Sequence, residues 1–427
     1  MATARLQGQD ADKIHCPVWG VIGNLGDSIC YAGVPAKVEA VQDELRRRVS
    51  VADLPVRVIA PNYASGISDG QRNGTAQMRY SLIGRETTND GVCLHLEGSE
   101  MRAVIAVVAC DKPPVGTLAA ILEHNVPSVI VSDGSIRPGV DSRTGAPIDI
   151  VSCFQAAAAP ADERRRLALE GSPGYGSCGG MFTYNTMQSF IAACGMEPLH
   201  MVGPASEDDR RVTEFPAQLL DHLEHLSERG IRPRQIVTAK ALRNATLVAI
   251  SMGGSTNVVL HAPEIARAAG IDYWSEVITQ DEFNTVSRTL PVLVNARPFG
   301  QYSMVDIDAK GGLPVIVREL LRAGLLDGTC RPAPAKPLPS RWSDSTRRCR
   351  TATSSTPSRR HSSPPAGCAF CTATSPLTAA RSSSSRASRA GWRTAASSAR
   401  HGCSTVKHPS SRRSSPRPTP SATATSW

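Results

Sequence analysis

An uninterrupted apolar run at residues 103–109 is followed by Cys110-Asp111-Lys112, an apolar helical pattern at 115–124 and a β-branched run at 127–132. Strand, helix and strand in that order predict two parallel strands, because the helix carries the chain back to the end of the sheet at which the first strand began. A further run at residues 56–60 predicts another buried strand, and the patterns at 36–49 and 264–269 predict covering helices. The expected fold class is therefore α/β, built on a parallel sheet. In such sheets the loops at the carboxyl ends of strands carry the chemistry, and Cys110-Asp111-Lys112 falls in one of them.

This pattern does not extend along the whole chain. The 427 residues, 41% hydrophobic, suffice for one large core or two ordinary ones. Of the 47 basic and 38 acidic residues, 17 and 1 (Asp344) fall in residues 331–427, so the 30 basic and 37 acidic residues before them give a net −7. The overall +9 is thus a property of the tail. That tail holds 23 Ser and 15 Arg with no Ile, and no helical or strand periodicity survives in it. A composition so poor in large apolar groups cannot offset the entropy of folding, so disorder is expected there. Two segments follow, a folded one at 1–329 and a low-complexity Ser/Arg/Pro/Ala one at 330–427.

The start of the chain has no apolar signal segment, and no stretch approaches the roughly 18 apolar residues that span a bilayer, so a soluble cytoplasmic protein is expected. Twelve cysteines in such a chain read as thiols and metal ligands and not as a disulfide framework. Taken singly, most are small buried apolar residues.

Four blocks narrow the function. They are Ile67-Ser68-Asp69-Gly70 with Met78-Arg79-Tyr80-Ser81-Leu82 and Arg85-Glu86; Cys110-Asp111-Lys112; Cys178-Gly179-Gly180-Met181-Phe182-Thr183 with Asn185-Thr186-Met187; and Gly253-Gly254-Ser255-Thr256-Asn257, with His261 one helical turn later. In this order and spacing they resemble the dihydroxy-acid and phosphogluconate dehydratases, over about residues 17–328.

The resemblance implies that Cys30, Cys110 and Cys178 hold an iron–sulfur cluster, [2Fe-2S] or [4Fe-4S]. Around Cys30 the sequence Asp27-Ser28-Ile29-Cys30-Tyr31 departs from the family's usual Pro-Cys-Asn. Clusters normally take four thiolates, so three leave one iron open to act as a Lewis acid on a substrate hydroxyl. The resemblance likewise places Mg²⁺ at Asp69, Asp111 and Lys112, the lysine carbamylated so that it offers a carboxylate-like oxygen. The implied reaction is dehydration of a 2,3-dihydroxy acid to a 2-keto acid in branched-chain amino-acid biosynthesis, by a homodimeric enzyme. A sugar-acid (aldonate or phosphogluconate) dehydratase is the alternative, and a non-catalytic fragment is the alternative of another class. In the family a fourth, glutamate ligand to Mg²⁺ and a catalytic serine base lie in a carboxyl-terminal domain, so no catalytic base is assigned here.

Three other patterns carry less. Gly174-Tyr175-Gly176-Ser177-Cys178-Gly179 satisfies the G-x-G-x-x-G dinucleotide fingerprint, but it follows a charged helical pattern at 161–170 where that motif needs a strand. Cys368-Ala369-Phe370-Cys371 looks like half a zinc site without a second half. The basic tail suggests nucleic acid, yet lacks the interleaved aromatics that stack on bases.

A frame error accounts for the tail's arginines without a partner. If each true codon begins at the third base of the codon read here, Phe370 before Cys371 forces a Leu, and Cys371 before Thr372 forces His or Tyr. Residues 367–379 can then read Leu-Arg-Val-Leu-His-Gly-Asn-Leu-Ala-Pro-Asp-Gly, and 329–340 can read Val-Pro-Thr-Cys-Thr-Gly-Glu-Thr-Leu-Ala-Glu. Both resemble the family's continuation.

Overall fold

A computed structural model describes residues 13–330. The tail, its expected disorder and the Cys368–Cys371 pair lie outside the described residues. At the centre is β1 (Val18–Leu25), followed by helix α1 (Val34–Val51) and two short strands, β2 (Arg57–Val58) and β3 (Asn62–Ser65). Helix α2 (Ser81–Gly98), β4 (Met101–Val108), α3 (Pro113–His124) and β5 (Ser128–Ser132) complete the sheet unit. All pairings are parallel in the order β2-β1-β4-β5, with β3 continuing β2's edge along the second half of β1. Val21 lies beside Ile105, and Ile105 beside Val129.

The strand expected at 56–60 is corrected by this arrangement. Only Arg57 and Val58 pair there, half-buried, and the edge resumes at Asn62. The helix expected at 264–269 begins earlier, as α7 (Val258–Ala269), with Pro263 inside it. The amide that Pro263 lacks would have bonded to the carbonyl one turn back, on partly exposed Val259, where water can serve instead.

Helix α3 is buried from Pro113 through Leu122, which explains its apolarity on every side. Its two prolines sit at the first turn, where no intrahelical donor is lost, and Asn125 ends it in the left-handed conformation. It approaches α2 so closely that a Cβ on Gly116 would lie 2.4 Å from the Arg85 carbonyl oxygen, so only glycine fits. Helix α4 (Thr183–Ala193) and α7 cover the other flanks of α3, while α5 (Phe215–Glu228) lies on α1, tied to it by Arg48 reaching Asp221 (2.7 Å) and Glu224 (3.1 Å). A second apolar cluster joins α6 (Ala239–Ser251) to α8 (Gly312–Arg322) through Val248, Met252, Leu313 and Ile316. Among the described residues no helix is long and apolar enough to cross a membrane, and the cysteines there are unpaired.

One buried acid sets a pH dependence. Glu197 accepts the Ser132 amide at 2.7 Å through one oxygen, while the other is buried without a partner. Burial pushes its carboxyl from the ordinary 4.5 up to about 7. The stability this side chain provides is therefore complete below pH 4.5 and lost as pH rises through 7, a change of roughly 3 kcal/mol. Glu197→Gln keeps the acceptor without the charge. It is expected to unfold at the same urea concentration as the parent near pH 5 and at a higher one at pH 8; equal midpoints at both would show that the carboxyl is not penalised.

Candidate functional site

Because the strands are parallel, all their carboxyl ends open on one side, and five of the six expected site residues follow one of them. Cys30 comes after β1, Asp69 after β3, and Cys110, Asp111 and Lys112 after β4. Cys178 arrives from outside the sheet, on the loop that precedes α4.

Short hydrogen bonds stitch these loops together. The Gly176 amide donates to the Ile29 carbonyl (3.0 Å), next to Cys30, and the Cys110 amide donates to Ser177 Oγ (2.8 Å), next to Cys178. Ser177 also pairs with Ser135 in the loop after β5. Asn185 Nδ2 donates to the carbonyls of Cys178 and Gly180, both at 2.7 Å, and so shapes the turn that carries the third thiol. Cys110 itself has φ +63°, a left-handed conformation that a non-glycine residue adopts only when its surroundings hold it there.

The thiols of Cys30 and Cys110 act on each other's ionisation in opposite directions. The Cys110 thiol brings Cys30 down to about 7, helped against burial by the hydroxyls of Ser28 and Ser68, while Cys30, burial and Asp111 drive Cys110 upward. Burial also raises Cys178, which feels the charge of Cys30. Cys30 Sγ lies 3.6 Å from Ser68 Oγ.

The hard donors are next door in sequence and space. Lys112 Nζ donates to Asp69 Oδ2 (2.6 Å) and Asp111 Oδ2 (2.9 Å), Ser81 Oγ donates to Asp69 Oδ2 (2.6 Å), and Cys110 Sγ donates to Asp111 Oδ1 (3.3 Å). Burial and the facing Asp69 raise Asp111 to about 6, whereas the neighbouring Asp111 carboxyl and the hydrogen bonds from Lys112 and Ser81 outweigh burial and lower Asp69. Burial alone would lower Lys112, but the two carboxylates raise it. His261, fully buried, is pushed down to about 3 by burial and by the charges of Lys112 and Arg85.

Among the described residues no three His, Cys, Asp or Glu side chains converge closely enough to hold a metal ion as they stand. At Asp69 and Asp111 the third group is an ammonium, which competes with a cation for the same oxygens. Two observations nevertheless fit the donor sets to their expected groups. Asp69 Oδ1 is buried with no hydrogen-bond partner, an anionic oxygen short of a cation. Of the three neighbouring thiols, Cys110 and Cys178 are held protonated by burial and by the charge of Cys30, an arrangement that a positive iron centre relieves.

A cavity of about 230 Å³ opens beside the thiols. Cys30, Cys178 and Ser303 line it together with an apolar wall that includes Ile29, Ile136 and Ile150. Cys153 also lines it, a thiol that no motif marked. The roles of Ser135 and Ser177 were equally hidden, since they depend on which loops meet. The G-x-G-x-x-G run follows helix Ala161–Glu170, as its flanking sequence indicated, and has Gly176 at φ +132° in the loop bearing Cys178.

Comparison with known proteins agrees with this geometry. The sequence model of a family described as dihydroxy-acid/6-phosphogluconate dehydratase N-terminal matches residues 30–339. A dihydroxy-acid dehydratase of Nostoc sp. is 40% identical over 273 residues, covering 62% of this chain and 46% of that protein. One of Synechococcus sp. is 39% identical over 270 residues, with the same coverages, and one of Polaromonas sp. 40% over 273, again 62% and 46%. The chain spans about half the length of the curated relatives it matches. With Asp69 and Cys110-Asp111-Lys112 at the carboxyl edge of one parallel sheet and the family model matching most of the chain, the protein belongs to the dihydroxy-acid/6-phosphogluconate dehydratase N-terminal family.

Proposed function

We propose that this chain carries the cofactor half of a hydro-lyase that converts a 2,3-dihydroxy carboxylic acid to a 2-keto acid in branched-chain amino-acid biosynthesis. The observation that carries the reading is the side-by-side placement of soft thiols and hard carboxylates, with Ser68-Asp69 and Cys110-Asp111 bridging the two sets. Cys30, Cys110 and Cys178 would hold the iron–sulfur cluster, and Asp69, Asp111 and Lys112 the Mg²⁺. When bound, these groups would supply a Lewis-acidic iron for the 3-hydroxyl and a cation for the carboxylate and 2-hydroxyl.

The protein's own residues prepare that site. Lys112 is held between two carboxylates until its ammonium loses a proton; the amine then attacks CO₂, forming an N–C bond and releasing a second proton to water. The resulting carbamate turns a cation into an anionic oxygen donor and frees the oxygens of Asp69 and Asp111. The isoleucine side of the cavity beside Cys30 (Ile29, Ile136 and Ile150) can accept an alkyl substituent, and Gln71, Arg137 and Asp149 line the same cavity. The homodimer expected of the family and a cytoplasmic setting go with the reading.

Anaerobic reconstitution with iron and sulfide tests the ligand set. The parent chain is expected to take up both and gain visible absorption, and Cys110→Ala and Cys178→Ala to lose most of it. Cys30→Ala examines the ligand whose flanking sequence departs from the family. Full cluster signal in both of the first two variants would sink the assignment.

A further inference from the structure

The buried imidazole of His261 belongs to none of the ligand sets above, yet it stands at the Lys112 end of the site. It lies on α7, packed along α3, the helix that begins immediately after Lys112, and it is near enough for the lysine's charge to bear on the ring. Arg85 Nη1 approaches its Nδ1 at 3.4 Å. A guanidinium can only donate, so Nδ1 must be the acceptor and Nε2 must carry the proton. That Nε2–H is buried and has no acceptor. A buried donor left unmade costs about 1–3 kcal/mol, so a persistent orphan asks for an explanation.

Asp69 carries the matching deficiency. Asp69 Oδ1 is a buried oxygen without a partner, and the Lys112 ammonium, which bonds the other oxygen of Asp69, is itself a donor. An ammonium cannot satisfy Nε2–H. An anionic oxygen carried on the lysine could, and its negative charge would suit a site flanked by the Arg85 cation.

We propose that His261 is a positioning residue of the Lys112 site, its Nε2–H donating to an oxygen of the lysine carbamate and so holding that group in place. The inference rests on the carbamate reading given above and adds the residue that recognises the modification. Arg85 sets the tautomer, and its own charge is balanced by Glu86 (2.5 Å) and, more distantly, Glu264 (3.9 Å).

Two conservative replacements separate the nitrogens. In His261→Gln the amide reaches the Nε2 position and can still donate; in His261→Asn it reaches only the Nδ1 position. The 427-residue chain and these variants would be incubated with ¹³C-bicarbonate and Mg²⁺, and carbamate read by ¹³C NMR, with Lys112→Ala as the zero. The parent and His261→Gln are expected to give comparable signals, and His261→Asn at least a tenfold lower occupancy at the same thermal midpoint. Parental occupancy in His261→Asn, or loss in both variants, overturns the role of Nε2–H. Absence of carbamate in the parent itself would instead remove the reading on which the proposal rests, and the proposal with it.

Discussion

The 427-residue chain is expected to show no measurable dehydration of 2,3-dihydroxyisovalerate, even after cluster reconstitution and with Mg²⁺ present, whereas the same chain re-framed across residues 328–331, the shift proposed for the tail, is expected to turn it over. The reaction needs a proton to leave C2, and no residue of this chain is assigned as the base that receives it. A positioned base typically contributes a factor of about 10² to 10⁴. Asp69, Asp111 and Lys112 would also hold Mg²⁺ without the family's glutamate, and losing such a supporting group commonly costs about 10- to 100-fold in affinity or activity. Both losses fall on one step and need not multiply. Formation of the 2-keto acid, followed with a coupled reductase, decides the matter. A rate within tenfold of the re-framed chain would place a working base inside residues 13–330 and undo the assignment.

How far the sequence discloses this molecule depends on where the information is local. Helix α3 and strands β4 and β5 are legible because they are buried on every side, and an unbroken apolar run is the signature of that environment. The central strand β1 is not. Gly20 and Gly23 interrupt its pattern, and the reason lies elsewhere in the chain: Met101 Sδ and Val38 Cγ2 occupy the places, at 2.7 and 2.8 Å, that Cβ atoms there would need. Strand β3 escapes for a related reason, since Asn62–Ser65 is mostly polar and becomes a strand only because β1 is there to pair with. At the site, Cys110-Asp111-Lys112 and Cys178 announce themselves through motifs. Ser177 and Ser135 do not, because a serine hydroxyl becomes a support only once two distant loops meet.

The largest effect on stability is expected from Lys37→Met. Lys37 on α1 is 4% exposed and Asp133, just after β5, is fully buried. Nζ donates to Asp133 Oδ1 (2.5 Å) and Ser206 Oγ (2.8 Å), and Ser206 Oγ donates to Asp133 Oδ2 (2.7 Å), a closed triangle in which each polar atom is used. A buried pair of this kind adds little net stability over an apolar pair, but removing one member leaves the other charge in a low dielectric, at about 3–5 kcal/mol. The double variant Lys37→Met with Asp133→Asn removes the stranded charge and should recover most of the loss, which a double-mutant cycle in urea would measure. A wider consequence follows from position. Asp133 opens the loop in which Ser135 pairs with Ser177, and Ser177 Oγ accepts the Cys110 amide. Lys37→Met should therefore take up less iron than the parent, though Lys37 touches no thiol, and the double variant should regain it. A loss below about 1 kcal/mol with full iron uptake would mean that this loop is held by its backbone bonds and the buried pair is dispensable.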